Sequence, residues 1–227
     1  ENPYTFVPNQ QQLSDFNSIS RTALNFPPSE YYAAALRYFT QPNMYNWQEV
    51  ALQGIADVAA SVRRKDGAQL IINHMQTVAP QVQQALTSSL ENQAIDKHVS
   101  QHLIDWAEQQ FDDPLKVQWM LRALSQSIAK TLVQRTIQRV LDSEHGTNAD
   151  IMLLIAARHW QFLTDETVLR QYINQLAAID TELCANLYSD LVQLPDIRQH
   201  MLAVIRWPDK SPALTQVIGH LFSGQQQ

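Results

Sequence analysis

The sequence predicts an all-α protein built from stacked helix pairs, and three observations carry that expectation. First, apolar residues recur at helical spacing almost throughout. In Trp47–Val62, Trp47, Ala51, Gly54, Ile55, Val58 and Val62 fall on one stripe of a 3.6-residue helix. Second, helix-start signals recur along the chain: Asp or Asn caps, and proline in the first turn. Third, only five glycines occur in 227 residues, too few and too scattered for a β-sandwich with a turn every 8–12 residues or so. Gly54 lies on the apolar stripe rather than in a loop. It costs roughly 1 kcal/mol of helix propensity relative to Ala, which is offset if a neighbouring helix packs close there. The same pattern also permits an irregular helical bundle.

Taken in order, residues 1–9 (ENPYTFVPN) read as an extended lead-in whose Tyr4 and Phe6 dock on the first helices. A helix from Gln10 to Leu24 stops before Pro27-Pro28, because proline pushes its predecessor out of the α region. Ser29-Glu30 opens a second helix, with Tyr32, Ala35, Leu36 and Phe39 inward, and Pro42 ends it. The third runs over 47–62, with Asn46 as its cap and Glu49 in the capping-box position. Arg63–Gly67 reads as a turn whose cations offset a helix dipole. Helices follow over 68–78, 80–91 (opened by Pro80), 96–111 (capped by Asp96) and from Asp113-Pro114. The last of these tracts continues to Leu141 with a break near Ser125–Ser127. Beyond the Glu144-His145-Gly146 stop, Asn148, Thr164, Asp180, Pro195 and Ser211-Pro212 open the final five, and the tail frays from Ser223. That makes about thirteen helices, grouped as a lead-in and first helix (1–27), a repeat domain (28–222) and a tail (223–227).

Composition narrows the function classes. The chain is 45% hydrophobic and 17% charged, ordinary for a folded soluble domain. A formal charge of −6 argues against general nucleic-acid binding, which needs a basic surface. One cysteine, Cys184, excludes an intramolecular disulfide and a cysteine-based structural zinc site, and fits a reducing, cytoplasmic setting. The longest apolar run, Ile151–Ala157, is far short of the about 18–20 residues of a membrane span. The chain opens at Glu1 without Met, which fits an excised or processed piece.

The helix starts repeat. Asp113-Pro114 with Val117, Met120, Leu121, Ala123 and Leu124 parallels Leu194-Pro195 with Ile197, Met201, Leu202, Val204 and Ile205. Pro80, Val82, Ala85, Leu86 and Leu90 make a shorter version. The anchors Val50, Val82 and Val117 recur at a helix-pair period within the roughly 30–47 residues of helical repeats. These segments resemble HEAT repeats over most of 28–222, which implies a right-handed stack with an extended concave face; the regular spacing is lost after about residue 145. More narrowly, ENPYTFVPN, LSDFNSISR and WQEVALQGIADVAA resemble an uncharacterised gammaproteobacterial family with a domain of unknown function. Comparable residues there follow a smaller N-terminal domain. That family brings no activity, cofactor or catalytic residue to this chain.

Four features stand out as candidate sites. His98 and His102 stand one turn apart with Asp105 beyond them, a spacing that permits metal ligation, but HExxH is absent and they lie beside the stripe of Val99, Leu103 and Ala107, as a solvated flank would. Between Pro114 and Leu141 there is no acidic residue, while Lys116, Arg122, Lys130, Arg135 and Arg139 are present. Arg135 and Arg139 share a helix face at a mildly repulsive spacing, opposite Ala129, Val133, Ile137 and Val140. These five are the candidate partner-binding residues, for an acidic protein ahead of a nucleic acid, unless neighbouring acids neutralise them. Tryptophans 47, 106, 119, 160 and 207 read as core or groove residues, and Cys184 as a small core residue. With no P-loop, GxGxxG or GxSxG, the expectation is a non-enzymatic protein-interaction or scaffold module without a cofactor or metal. A metal-dependent enzyme around the histidines and a nucleic-acid binder using residues 116–139 are the alternatives.

Overall fold

The computed structural model describes residues 7–223, so the expected docking of Tyr4 and Phe6 and all of the expected tail but Ser223, which ends the last helix, lie outside the described residues. Among them are thirteen α-helices and no strand, one for each predicted helix. They are α1 (Gln10–Ala23), α2 (Tyr32–Thr40), α3 (Leu52–Ala60), α4 (Lys65–His74), α5 (Pro80–Leu90), α6 (Lys97–Glu108), α7 (Pro114–Ala123), α8 (Lys130–Leu141), α9 (Ala149–His159), α10 (Glu166–Ile179), α11 (Thr181–Leu191), α12 (Pro195–Val204) and α13 (Pro212–Ser223).

The caps act as read. Asp96, Asp113, Asn148 and Asp180 each accept a hydrogen bond from a backbone N–H in the first turn of the helix that follows. Asn9 and Gln12 form a reciprocal capping box at α1. At α10 the cap is Asp165, on the N–H groups of Thr167 and Val168; Thr164 instead closes a 3-10 turn over Trp160–Thr164.

The expected helix over 47–62 is three pieces. Trp47–Glu49 is a 3-10 turn capped by Asn46 on the N–H of Gln48, Val50 and Ala51 are extended, α3 follows, and Ser61–Arg63 is again 3-10. Gly67 sits in the first turn of α4, not in a turn before it, pressed against Ser61. Gly54 does what its place on the stripe requires. A Cβ there would lie 2.6 Å from Tyr31 O and 3.0 Å from Ala35 Cβ, so α2 approaches α3 as closely as a bare backbone allows.

Two compact units divide between Val133 and Gln134. In the first, α1, α3, α5 and α7 pack each on the next, and so do α2, α4 and α6. Two layers result, joined where α3 meets α2 and α4 and where α6 meets α7. Phe39, Ile55, Val58, Leu86, Leu103, Trp106 and Leu121 fill the space between. In the second unit the alternation gives way to a hub. Helix α10 packs on α9, α11 and α13 and on the 3-10 turns Glu144–Thr147 and Trp160–Thr164, and α12 is held by α11 and the second of these turns. Tyr172, Ile173 and Leu176 of α10 are buried at this centre.

Candidate interaction groove

The end of α1 borders two clefts of the first unit. Asn25 takes a left-handed conformation, φ 56°, which Asn tolerates better than most residues. The N–H of Phe26 reaches back to Arg21 O at 2.8 Å and that of Asn25 to Thr22 O at 3.2 Å, a Schellman stop. The chain then folds back through Pro27-Pro28. Arg21 holds it there, donating from Nε to Pro27 O at 2.8 Å.

Beneath this turn lies Asp57 of α3, only 4% exposed. Oδ1 accepts from Ser18 Oγ at 2.6 Å and Gln53 Nε2 at 3.2 Å; Oδ2 accepts from Ser29 N at 2.9 Å and Ser29 Oγ at 2.5 Å. All four acceptor positions of the carboxylate are thus filled, and one side chain ties α1, the entry to α2, and α3 together.

Two clefts flank the network. The larger, about 810 Å³, is lined by Leu13, Ser14 and Asn17 of α1, Tyr31 before α2, and Leu52 and Gln53 of α3, with Glu30 at its edge. The smaller, about 340 Å³, lies between Arg21, Thr22, Asn25 and Phe26 on one side and Ala60, Ser61 and Arg64 on the other. Arg21 borders both. Apolar side chains crowd this end of the unit. Of the fourteen exposed large hydrophobic residues among those described, ten fall within residues 7–52, including Leu13, Phe16, Leu24, Phe26, Tyr31 and Leu52.

The basic tract is dispersed. Lys116, expected on a solvated surface, is buried, 7% exposed. Its Nζ donates to Gln83 Oε1 at 2.6 Å and lies 4.4 Å from the centre of the Trp119 ring and 5.2 Å from that of Trp106. The four-carbon stem and the indole faces make this burial tolerable, and desolvation pulls the ammonium below the usual lysine range. Arg122 is exposed and pairs with Glu91 at 3.4 Å. Lys130, Arg135 and Arg139 are exposed on α8, opposite the buried Val133, Ile137 and Val140.

His98, His102 and Asp105 do not gather into a metal site. Asp105 accepts from Gln101 at 2.8 Å, and His102 Nε2 is buried without a hydrogen-bond partner. Desolvation lowers the pKa of His102, and His98 adds to the effect against the opposing pull of Asp105. Among the described residues no three His, Cys, Asp or Glu side chains are grouped to hold a metal.

A family model described as protein of unknown function (DUF3549) matches residues 1–222. The chain belongs to the DUF3549 family. No curated protein matches it, and no solved structure does. The resemblance carried by the opening residues and the Trp47 stretch thus points to the right kind of family, one with a domain of unknown function.

In this DUF3549 chain the remaining singled-out residues are packing groups. Trp106 is fully buried and Trp207 nearly so, while Trp47, Trp119 and Trp160 are half-buried. Cys184 is buried, and desolvation pushes its thiol up to about 12. The Asp57 network was missed by sequence reasoning. Its members lie up to 39 positions apart, beyond any local pattern; the one available signal was a run of small polar residues (Ser14, Ser18) on the face of α1 that packs inward.

Proposed function

We propose that this DUF3549 chain is a non-enzymatic interaction module, a HEAT-like stack of helix pairs working in the bacterial cytoplasm, whose first unit binds a protein partner along α1 and the start of α3. The concentration of exposed apolar side chains within residues 7–52 carries this reading. A soluble domain exposes single hydrophobic residues anywhere, but several gathered at one site mark an interaction surface, and Leu13, Tyr31 and Leu52 line one cleft here. The alternating two-layer packing of the first unit supports it, since stacked pairs offer extended surfaces for partners. Among the described residues no helix is long and apolar enough to cross a membrane. The exposed Arg135 and Arg139 on α8 are the competing surface, suited to an acidic partner.

One experiment separates the two. Proteins captured from lysate by the wild-type chain are compared with those retained by Leu13→Asp/Leu52→Asp and by Arg135→Glu/Arg139→Glu. The expected result is at least tenfold loss of the same specific partner with the first pair only, at an unchanged thermal midpoint. Loss with the arginine pair alone moves the surface to α8. Retention by both variants defeats the reading.

A further inference from the structure

The two clefts that meet at Arg21 differ in what they leave free. The larger presents Leu13, Tyr31 and Leu52 with the polar groups of Ser14, Asn17 and Gln53. In the smaller, Asp57 is already saturated by Ser18, Ser29 and Gln53. The charged groups that remain there are two cations, Arg21 and Arg64. Arg21 is anchored through Nε on Pro27 O, with one terminal nitrogen 3.5 Å from Pro28 O, which leaves its other terminal nitrogen for a ligand. Arg64 is exposed, and its side chain makes no ion pair or hydrogen bond among the described residues. Two guanidinium groups beside one internally satisfied carboxylate make the cleft attractive to an anion. A guanidinium's fork matches a carboxylate in two parallel bonds. Glu30 stands at the edge of the larger cleft and repels acid there, which gives the pair of clefts a direction.

We propose that the clefts form one recognition channel for a peptide segment carrying an apolar residue and, a few positions away, an aspartate or glutamate. The apolar residue lies against Leu13, Tyr31 and Leu52, and the carboxylate is held by Arg21 and Arg64. The proposal rests on the interaction-module reading and adds the chemistry of the partner. A protein carboxylate fits better than a free anion because Arg21 borders both clefts, the one with two cations and the one that presents Leu13, Tyr31 and Leu52, and only a chain can occupy both.

The test is selection of displayed random peptides on the wild-type chain, counter-selected on Leu13→Asp/Leu52→Asp, with affinities then measured for Arg64→Glu. Enriched peptides are expected to share an acidic position next to an aliphatic or aromatic one. Arg64→Glu should weaken them at least tenfold at an unchanged thermal midpoint, and a peptide with Lys in place of the acid should recover binding to that variant. Should Arg64→Glu lose its helical circular dichroism, Arg64→Gln is read instead, with the same expected direction. Enriched peptides without an acidic position overturn the carboxylate site and leave the interaction module standing. No enrichment over the counter-selected variant removes both. Displacement of an acidic peptide by millimolar inorganic phosphate, but not by chloride at equal ionic strength, reassigns the arginines to a small anion and also overturns the proposal.

Discussion

The first unit carries two carboxylates and an ammonium into its interior, whereas among the described residues of the second no Asp, Glu, Lys or Arg is buried. Asp15, Asp57 and Lys116 are all buried in the first unit, and each is met by neutral groups: Ser89 and Gln11, then Ser18, Ser29 and Gln53, then Gln83 with two indole faces. In the second unit Tyr172 donates to Met152 O and Tyr188 to Met201 O. Its charged cluster is at the surface, where Arg170 pairs with Glu166 and Asp209 and lies over Trp207. Burying an ion costs several kcal/mol unless its hydrogen bonds are supplied. A satisfied buried ion also specifies geometry, since no other arrangement of those elements supplies the same partners. Asp57 therefore fixes the walls of the groove, while the tyrosines fasten neighbouring helices whose apolar packing already determines their places.

The sharpest way to break this contrast is Asp57→Ala. It removes four accepting interactions and strands Ser18, the Ser29 N–H and Gln53, with an expected loss of about 3 kcal/mol or more. Hydrogen exchange should quicken in α1, α2 and α3 and stay unchanged in α10 to α13. Uniform loss across both units would mean that Asp57 supports the whole chain and not one groove.

Tyr188→Phe is the matching experiment in the second unit. It deletes a 2.8 Å bond to one carbonyl and keeps the ring, so the expected cost in urea unfolding is about 1 kcal/mol. A cost equal to that of Asp57→Ala would erase the distinction.

The smallest effect concerns pH. Burial raises the pKa of Asp15, against the opposing hydrogen bonds from Ser89 and Gln11. The folded state thus holds its proton at a pH where the unfolded chain has released it, and the ionised carboxylate is a burden at neutral pH. As pH falls from neutral through the raised folded value towards the unfolded one, wild type should gain stability relative to Asp15→Asn, and the gain should level off below the unfolded value. Urea midpoints of both proteins across that range measure it. A gain for the variant instead would show that the hydrogen bonds outweigh the burial.

The helices were legible because their starts are written locally: Asp96, Asp113-Pro114, Asn148 and Asp180 all cap or open a helix as read. Gly54 was legible because a glycine on an apolar stripe has few uses besides close approach. The break at Val50-Ala51 was not, since neither residue is a breaker and the apolar periodicity runs straight through it. The groove was hidden for a different reason. Its floor is assembled from Ser18, Ser29, Gln53 and Asp57, brought together by packing and by no spacing rule. Lys116 misled because a lysine in an acid-free tract reads as surface. Only the placing of Trp106 and Trp119 around it by two different helices makes the interior its place.

Cys184 offers a practical return. Most proteins must lose a native cysteine before a probe can be attached at a chosen position. Here the chain's one thiol faces Ile173 O at 3.9 Å inside the second unit, pushed up to about 12 by burial. It holds almost no thiolate at neutral pH and offers reagents no approach. A cysteine introduced at the exposed Leu52 is then the sole accessible thiol for a maleimide near neutral pH, and a fluorophore there sits against the larger cleft, where occupancy changes its surroundings. The native background needs no editing for the groove to be watched directly.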